Sequence, residues 1–312
     1  MMKKGMIACV VVFLFICAVL SVGCTQDNET YDVVCTVFPQ YDLCRQIAGE
    51  KLKIKMLLPA GTDAHNYQLT ISDKMAVKNS KVFVYIGGES EGWVTEILES
   101  TDMSGVQCIA WMDNCSLLSR KEDDHDHDHE HEHGHNAEYD EHVYLSVKNA
   151  IAFCGVLCEQ LCTVFPDKSE EFKQNSQRYV SELVSLDAQY AETLSTKTNK
   201  TMYFADRYPF AYLANDYALD CVTPYHGCST DTEITLKEKT DFKTAYAASG
   251  AKGVFVLENG YEDLAKSVTS ECGGKIYRVH SCQSLSKEEL DSGLRYLDIM
   301  RSNLTVLSEA LK

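Results

Sequence analysis

The sequence predicts an α/β protein of two lobes with parallel sheets, joined by one long rigid helix. Short apolar runs of strand type alternate with helical patterns in both halves of the 312-residue chain. Single helices between successive strands are typical of parallel βαβ units. Between the halves, residues 169–194 lack Gly and Pro and repeat apolar residues at helical spacing.

The N-terminal half predicts an α/β lobe, which we assign to residues 25–165. Its apolar runs are short enough for strands, and a helical pattern follows each of the first three. The predicted strands are 33–38, 53–58, 81–86 and 105–111, and the predicted helices are 41–48, 71–78 and 91–98.

The C-terminal half repeats this arrangement over residues 199–312, after a connecting helix at 166–198. Over residues 169–194 that helix would be about 39 Å long, the span of a small domain. Such a helix makes a stiff connection between the lobes. The predicted strands of the second lobe are 201–205, 253–257 and 275–279, and its helices are 210–217, 241–249 and 287–311.

The N-terminus predicts export and membrane attachment. Lys3 and Lys4 precede an uncharged apolar run, the pattern of a secretory signal, which we place at residues 1–23. A small residue, Gly23, precedes Cys24, as at a bacterial lipoprotein cleavage site, so Cys24 is predicted to be the lipid anchor in the bilayer. The alternative is an uncleaved membrane anchor. Both place the remaining chain outside the cytoplasm.

Composition limits the partners. The formal net charge is −17, which disfavours nucleic acid, because that binding depends on Lys and Arg at phosphates. An acidic chain suits a cationic partner. Of the 14 cysteines, three fall at a spacing of four on one helix face, where a buried apolar role is favoured over a metal thiolate cluster. These three are Cys154, Cys158 and Cys162, and disulfides such as Cys221 with Cys228 or Cys272 with Cys282 stay open.

A histidine tract predicts metal binding. Its six histidines alternate with Asp and Glu in a segment without apolar periodicity, within a loop at 121–141. Imidazole is a common ligand of the later divalent first-row metals. We expect this loop to collect several ions weakly without selecting a geometry. The six residues are His125, His127, His129, His131, His133 and His135.

A more specific site is predicted where polar side chains follow strands. His65 comes after the second predicted strand, and Asp206, Glu258 and His280 each directly follow a strand of the second lobe. Ligands of open α/β sheets bind beyond the carboxyl ends of the strands. Two such lobes would bring these four side chains together in a cleft, where we expect a metal site.

Three segments resemble the zinc and manganese solute-binding proteins of bacterial ABC importers. They are residues 36–42 (TVFPQYD), 57–70 (LLPAGTDAHNYQLT) and 87–94 (GGESEGWV). The resemblance implies that His65 is a metal ligand and that His142, in Asp140-Glu141-His142-Val143-Tyr144-Leu145, is another. It implies a receptor that delivers its ion to an ABC permease and its ATPase, and we expect the protein to be a monomer. A His-rich acidic loop before the second ligand is typical of the zinc-specific members.

Two positions depart from the family pattern. Before residues 210–219 (FAYLANDYAL), the usual ligand position holds Arg207, which stays protonated and cannot bind a metal. The last ligand position, usually Asp, holds His280. We expect His280 to supply a third imidazole and Asp206 or Glu258 to complete the site, with His226 as a weaker candidate. Arg207 could instead pair with Asp206, Asp63 or Glu258.

These residues together predict a receptor that captures Zn(II) for import. Three imidazoles with one carboxylate suit tetrahedral zinc, whereas manganese prefers more oxygen ligands and is the alternative ion. A metalloenzyme is disfavoured because His-Glu-x-x-His occurs only inside the histidine tract, where no helix is predicted to present it, and because the chain lacks a phosphate-loop motif. A surface metal buffer or adhesin without an importer partner is a further alternative.

Overall fold

The computed structural model describes residues 30–119, 139–226 and 233–312. Within them it contains two parallel four-stranded sheets flanked by helices, so the predicted α/β class with two lobes is confirmed. The predicted signal peptide, Cys24, Cys228 and the six histidines of the tract lie outside the described residues.

The N-terminal lobe is built on a sheet whose strands are all buried or half-buried along most of their length. Each strand is a shortened version of a predicted one. They are β1 (Val33–Cys35), β2 (Ile54–Met56), β3 (Val82–Tyr85) and β4 (Gln107–Ala110), paired in the order β2-β1-β3-β4. The helices between them are α1 (Phe38–Ala48), α2 (Ile71–Lys78) and α3 (Gly92–Ser100).

Two consecutive helices follow, α4 (Val147–Val164) and α5 (Ser169–Ser195). By length and composition α4 could cross a membrane, but its apolar face belongs to the core and packs against α5. Cys154 and Cys158 lie on that buried face with free thiols, which supports the predicted core role. From the sequence, the spacing of the cysteines predicted a helix here but not the residues at which it begins and ends.

The C-terminal lobe repeats the topology of the first. Its strands are β5 (Thr201–Phe204), β6 (Asp220–Val222), β7 (Gly253–Leu257) and β8 (Lys275–Val279), in the order β6-β5-β7-β8. Its helices are α6 (Ala211–Tyr217), α7 (Leu236–Ser249), α8 (Asp263–Cys272), α9 (Lys287–Asp291) and α10 (Tyr296–Ala310).

Three features of this lobe differ from the sequence prediction. The short, half-exposed β6 and the helix α8 were missed. The predicted single helix at 287–311 is two helices, because Gly293 adopts a φ of +73° between α9 and α10, a left-handed conformation that favours glycine. Cys272 is exposed and Cys282 is buried, and both thiols are free, so the suggested disulfide between them is absent.

The long helix α5 joins the lobes, as predicted. Its 27 residues correspond to about 40 Å. Tyr179 donates its hydroxyl to Asp42 Oδ2 in the N-terminal lobe (3.3 Å), and Tyr190 donates to the carbonyl of Met300 in α10 (2.5 Å). Because both tyrosines are buried, the helix is fixed to both lobes through satisfied polar contacts.

The strand order determines where ligands can lie. In each sheet the strand order changes direction at one point. This point lies between β1 and β3 in the N-terminal sheet and between β5 and β7 in the C-terminal sheet. Loops that leave the carboxyl ends at such a point diverge and open a crevice. The predicted metal-binding side chains lie on loops at this end of the two sheets.

Candidate metal centre

His65 lies in a single 3₁₀ turn, Ala64–Asn66, beyond β2. Asp63 caps the turn, because its Oδ1 accepts the backbone N–H of His65 at 2.9 Å. Trp93 donates its indole N–H to the carbonyl of Ala64 at 3.2 Å, which holds the turn against the start of α3. His65 Nε2 is 3.9 Å from Glu141 Oε1.

His142 is buried, with 4% of its surface exposed. Asp140 Oδ1 accepts the backbone N–H of His142 at 2.8 Å and lies 3.0 Å from its Nδ1. A ring that donates from Nδ1 to a carboxylate keeps the Nε2 lone pair for a metal, the arrangement common among metal-ligating histidines.

The C-terminal pair, Glu258 and His280, is held by hydrogen bonds within its own lobe. Glu258 accepts the backbone N–H and the hydroxyl of Ser281 at 2.9 and 2.7 Å. Its Oε1 is 3.6 Å from His280 Nδ1, which accepts the backbone N–H of Cys282 at 2.9 Å.

The hydrogen bond to His280 Nδ1 restricts its chemistry. A neutral imidazole that accepts at Nδ1 carries its proton on Nε2. His280 Nε2 is buried and has no hydrogen-bond partner among the described residues, with Glu289 Oε1 at 3.7 Å. His280 could therefore bind a metal only after giving up the contact with Cys282.

Asp206 is placed as a structural group. It is 3% exposed and accepts the backbone N–H groups of Arg207 (2.8 Å) and Leu257 (3.2 Å). A Cβ atom on Gly260 would lie 1.6 Å from Asp206 Oδ2, so the carboxylate fills the space beside this glycine. Burial raises the pKa of Asp206. Its role as a ligand stays a prediction, and these contacts favour a supporting role.

Arg207 pairs with two of the three carboxylates suggested from the sequence. Its Nη1 is 3.5 Å from Asp63 Oδ2 and its Nε is 3.6 Å from Asp206 Oδ1. Asp63 belongs to the N-terminal lobe, so the guanidinium connects the lobes beside the turn that carries His65.

A cavity of about 200 Å³ lies between the lobes, and its wall includes His142, Arg207 and Glu258. Among the described residues, no three His, Cys, Asp or Glu side chains converge as a metal ion would require. The side chains that could bind a metal lie instead in pairs. The rest of the cavity wall consists of Gly61, Thr62, Asp63, Pro209, Leu257, Asn259, Tyr261, Ser281, Gln283 and Ser284.

Two carboxylates beside the predicted histidines were missed from the sequence, Glu141 and Glu289. Glu141 is adjacent in the chain to His142, which is the signal that could have identified it. Glu289 lies in the helix predicted at residues 287–311, and no motif in the sequence singled it out. The weaker candidate His226 lies away from this group, exposed, with its Nε2 2.9 Å from Glu238 Oε1.

Glu91 is a further buried carboxyl behind the N-terminal part of the site. It is 2% exposed, and its Oε2 accepts the backbone N–H groups of Ile86 (2.7 Å) and Gly87 (3.3 Å). Desolvation raises the pKa of Glu91 to about 7, and the nearby charge of Glu141 adds to the rise. The inner wall of the lobe is therefore acidic and poorly hydrated.

Comparison with known protein families gives one match over nearly the whole described chain. Residues 33–310 match the family described as "ZnuA: Zinc-uptake complex component A periplasmic". This range includes both lobes, the connecting helix and every predicted cleft ligand.

Curated relatives and solved structures agree with this match. The zinc-binding lipoprotein AdcA of Streptococcus pneumoniae (strain R6) is 31% identical over 297 residues, which are 94% of this chain and 59% of AdcA. The high-affinity zinc uptake system protein ZnuA of Bacillus subtilis (strain 168) is 31% identical over 91% of this chain and 88% of that protein. The Zn(II)-bound ZnuA-like domain of S. pneumoniae AdcA superposes with a TM-score of 0.75 at 28% identity, covering 90% of this chain and 99% of that domain.

Proposed function

Since this chain belongs to the zinc-uptake component A family, we propose that it captures Zn(II) outside the cytoplasm and delivers it to an ABC permease and its ATPase for import. The chain spans 59% of the length of AdcA, whereas it covers 88% of the B. subtilis zinc uptake protein. The described lobes correspond to a receptor that binds and releases an ion, and we propose no catalytic step.

The observation that carries this proposal is the setting of His142. The side chain is buried, lines the cavity between the lobes and contacts a carboxylate through Nδ1. A carboxylate on the remote nitrogen fixes the ring and raises its basicity toward a metal on the other nitrogen. With His65 on the neighbouring turn, the N-terminal lobe offers two imidazoles, a donor type that zinc accepts more readily than manganese.

Attachment and assembly form part of the same proposal. Cys24 carries the lipid anchor, the chain acts as a monomer, and nucleic acid is not a partner of so acidic a protein (net charge −17). The name of AdcA, a lipoprotein, supports membrane attachment. The histidine tract, His125 to His135, collects several zinc ions weakly.

Zinc and manganese titration of the mature protein tests the proposal, with Gly-Ser replacing residues 123–135 so that only the cleft is measured. We expect one tight zinc site that His65→Ala abolishes. His226→Ala is the matched control, because this exposed imidazole contacts Glu238 away from the cavity. If removal of the tract removes all tight binding, the cleft assignment is wrong and the protein is a surface metal buffer.

A further inference from the structure

One coordination position of the family is unavailable in this chain. Arg207 stands where the family usually has its third ligand, and a guanidinium cannot bind a metal. It is committed to Asp63 and Asp206. His280 Nδ1 is meanwhile occupied by the N–H of Cys282. The two histidines of the N-terminal lobe therefore need an additional donor from nearby.

Glu141 lies where such a donor is needed. Its Oε1 is 3.9 Å from His65 Nε2, and it directly precedes His142 in the chain. A hydrogen bond would bring the two atoms to about 2.7–3.2 Å. Two ligand atoms on one tetrahedral zinc are about 3.4 Å apart, given bonds of about 2.0–2.2 Å. The observed separation of 3.9 Å is longer than a hydrogen bond and longer than the distance between two zinc ligands. A shift of about half an ångström would bring the two atoms to the distance that a shared zinc ion requires.

The surrounding backbone is shaped to hold this carboxylate. Glu141 Oε2 accepts the backbone N–H of Ser90 at 2.7 Å, and Glu141 Oε1 is the atom that lies 3.9 Å from His65 Nε2. A Cβ atom on Gly88 would lie 2.2 Å from Glu141 Oε2 and 2.3 Å from its Cβ. The loop after β3 thus admits the side chain only because residue 88 is a glycine.

The contrast with Asp140 separates two carboxylate roles. Asp140 contacts His142 through Nδ1 at 3.0 Å, which is hydrogen-bond distance and orients the ring. Glu141 faces His65 through Nε2, the nitrogen on the far side of the ring from the backbone, at a distance too long for a hydrogen bond. A group 98% buried with this placement is positioned to share an ion with His65.

We propose that Glu141 is a ligand of the transported metal, together with His65 and His142, and that it replaces the donor lost at Arg207. This assignment rests on the proposed zinc-receptor function. It requires these two imidazoles and one carboxylate, which do not converge among the described residues, to close on the ion as it binds, with the final contact added by the C-terminal lobe. Such a set suits Zn(II).

The direct test is a crystal structure of the zinc-loaded wild-type protein. We expect Glu141 Oε1 at about 2.0–2.2 Å from the ion. A separation above about 3 Å, with the ion held by other groups, overturns the assignment. This measurement does not depend on whether any variant folds.

Zinc affinity of Glu141→Gln, measured by chelator competition in the protein without the tract, is the second test. The amide retains an acceptor for Ser90, so the metal-free melting temperature should stay close to that of wild type. Affinity should fall by more than about 100-fold, because loss of a mere orienting partner costs about 10–100-fold. Glu99→Gln, an exposed carboxylate on α3, is the control and should leave affinity unchanged.

His65→Ala in the same assay separates the two hypotheses. If His65→Ala abolishes tight binding and Glu141→Gln retains it, the receptor function stands and the role of Glu141 is wrong. If His65→Ala binds zinc as tightly as wild type, the cleft site itself fails.

Discussion

The buried carboxyl of Glu91 should make the stability of the metal-free protein depend on pH. Burial raises the pKa of Glu91 from 4.5 to about 7. At pH values between 4.5 and 7, the Glu91 carboxyl is therefore protonated in the folded protein and ionised in the unfolded chain. Stability is therefore lost as pH rises from 4.5 to 7, and it is unaffected by this group below 4.5.

The size of the effect follows from the shift. Each pH unit between the two pKa values costs about 1.4 kcal/mol of unfolding free energy. The loss at pH 8 relative to pH 4.5 is thus about 3 kcal/mol from this one side chain. That is a large part of the about 5–15 kcal/mol that stabilises a typical protein.

Glu91→Gln removes the ionisation and keeps an oxygen to accept the N–H groups of Ile86 and Gly87. Urea unfolding with a chelator present, at pH 5 and pH 8, measures the difference in stability between variant and wild type. We expect that difference to shift by about 3 kcal/mol in favour of the variant at the higher pH.

A difference between variant and wild type that stays within about 0.5 kcal/mol between the two pH values would refute this reasoning, because changes of that size are common at surface positions. Glu99→Gln is the control for the loss of one carboxylate on the adjoining helix, since Glu99 is exposed. It should follow the wild-type curve at both pH values.

Three further substitutions test contacts in the site and in the core. Asp140→Ala removes the partner of His142 Nδ1, and zinc affinity measured by chelator competition should fall about 10–100-fold; an unchanged affinity would contradict the orienting role. Gly88→Ala should weaken zinc binding at least about 10-fold in the same assay, because the Cβ of the new alanine would lie 2.2 Å from the buried carboxylate of Glu141. Gly92→Ala is the control, because a Cβ atom there has open space, and this variant should bind zinc as wild type does. Asp42→Ala should lower the free energy of unfolding in urea by about 3–5 kcal/mol, because this fully buried group pairs with an arginine and accepts a backbone N–H of the C-terminal helix; a loss below about 1 kcal/mol would be evidence against it.

Periodicity in the sequence was sufficient for the fold class and the connecting helix. Strands buried on both faces appear as short apolar runs, and β7 and β8 begin and end at their predicted residues. A 27-residue helix without Gly or Pro presents its apolar stripe repeatedly, so its existence is hard to miss. The half-exposed strand β6 carries too weak a pattern, and it was missed.

Local motifs predicted which residues to consider for the metal site, and two pairings of Arg207, with Asp63 and Asp206, were anticipated from charge alone. Motifs did not reveal that His280 accepts a backbone N–H at Nδ1. They also gave no reason to separate Asp206 from Glu258, because both follow a buried strand.

The sequence by itself determined the residue types and their order, and hence the α/β lobes, the long helix and the histidines of the candidate site. Only the tertiary structure decided which carboxylates face which imidazoles. Glu141 and His65 are 76 residues apart in the chain and 3.9 Å apart in space. That proximity depends on two loops leaving the same edge of a parallel sheet and on a glycine between them that leaves room for a side chain. Periodicity carries no information about such distances, since it records only which face of an element is buried.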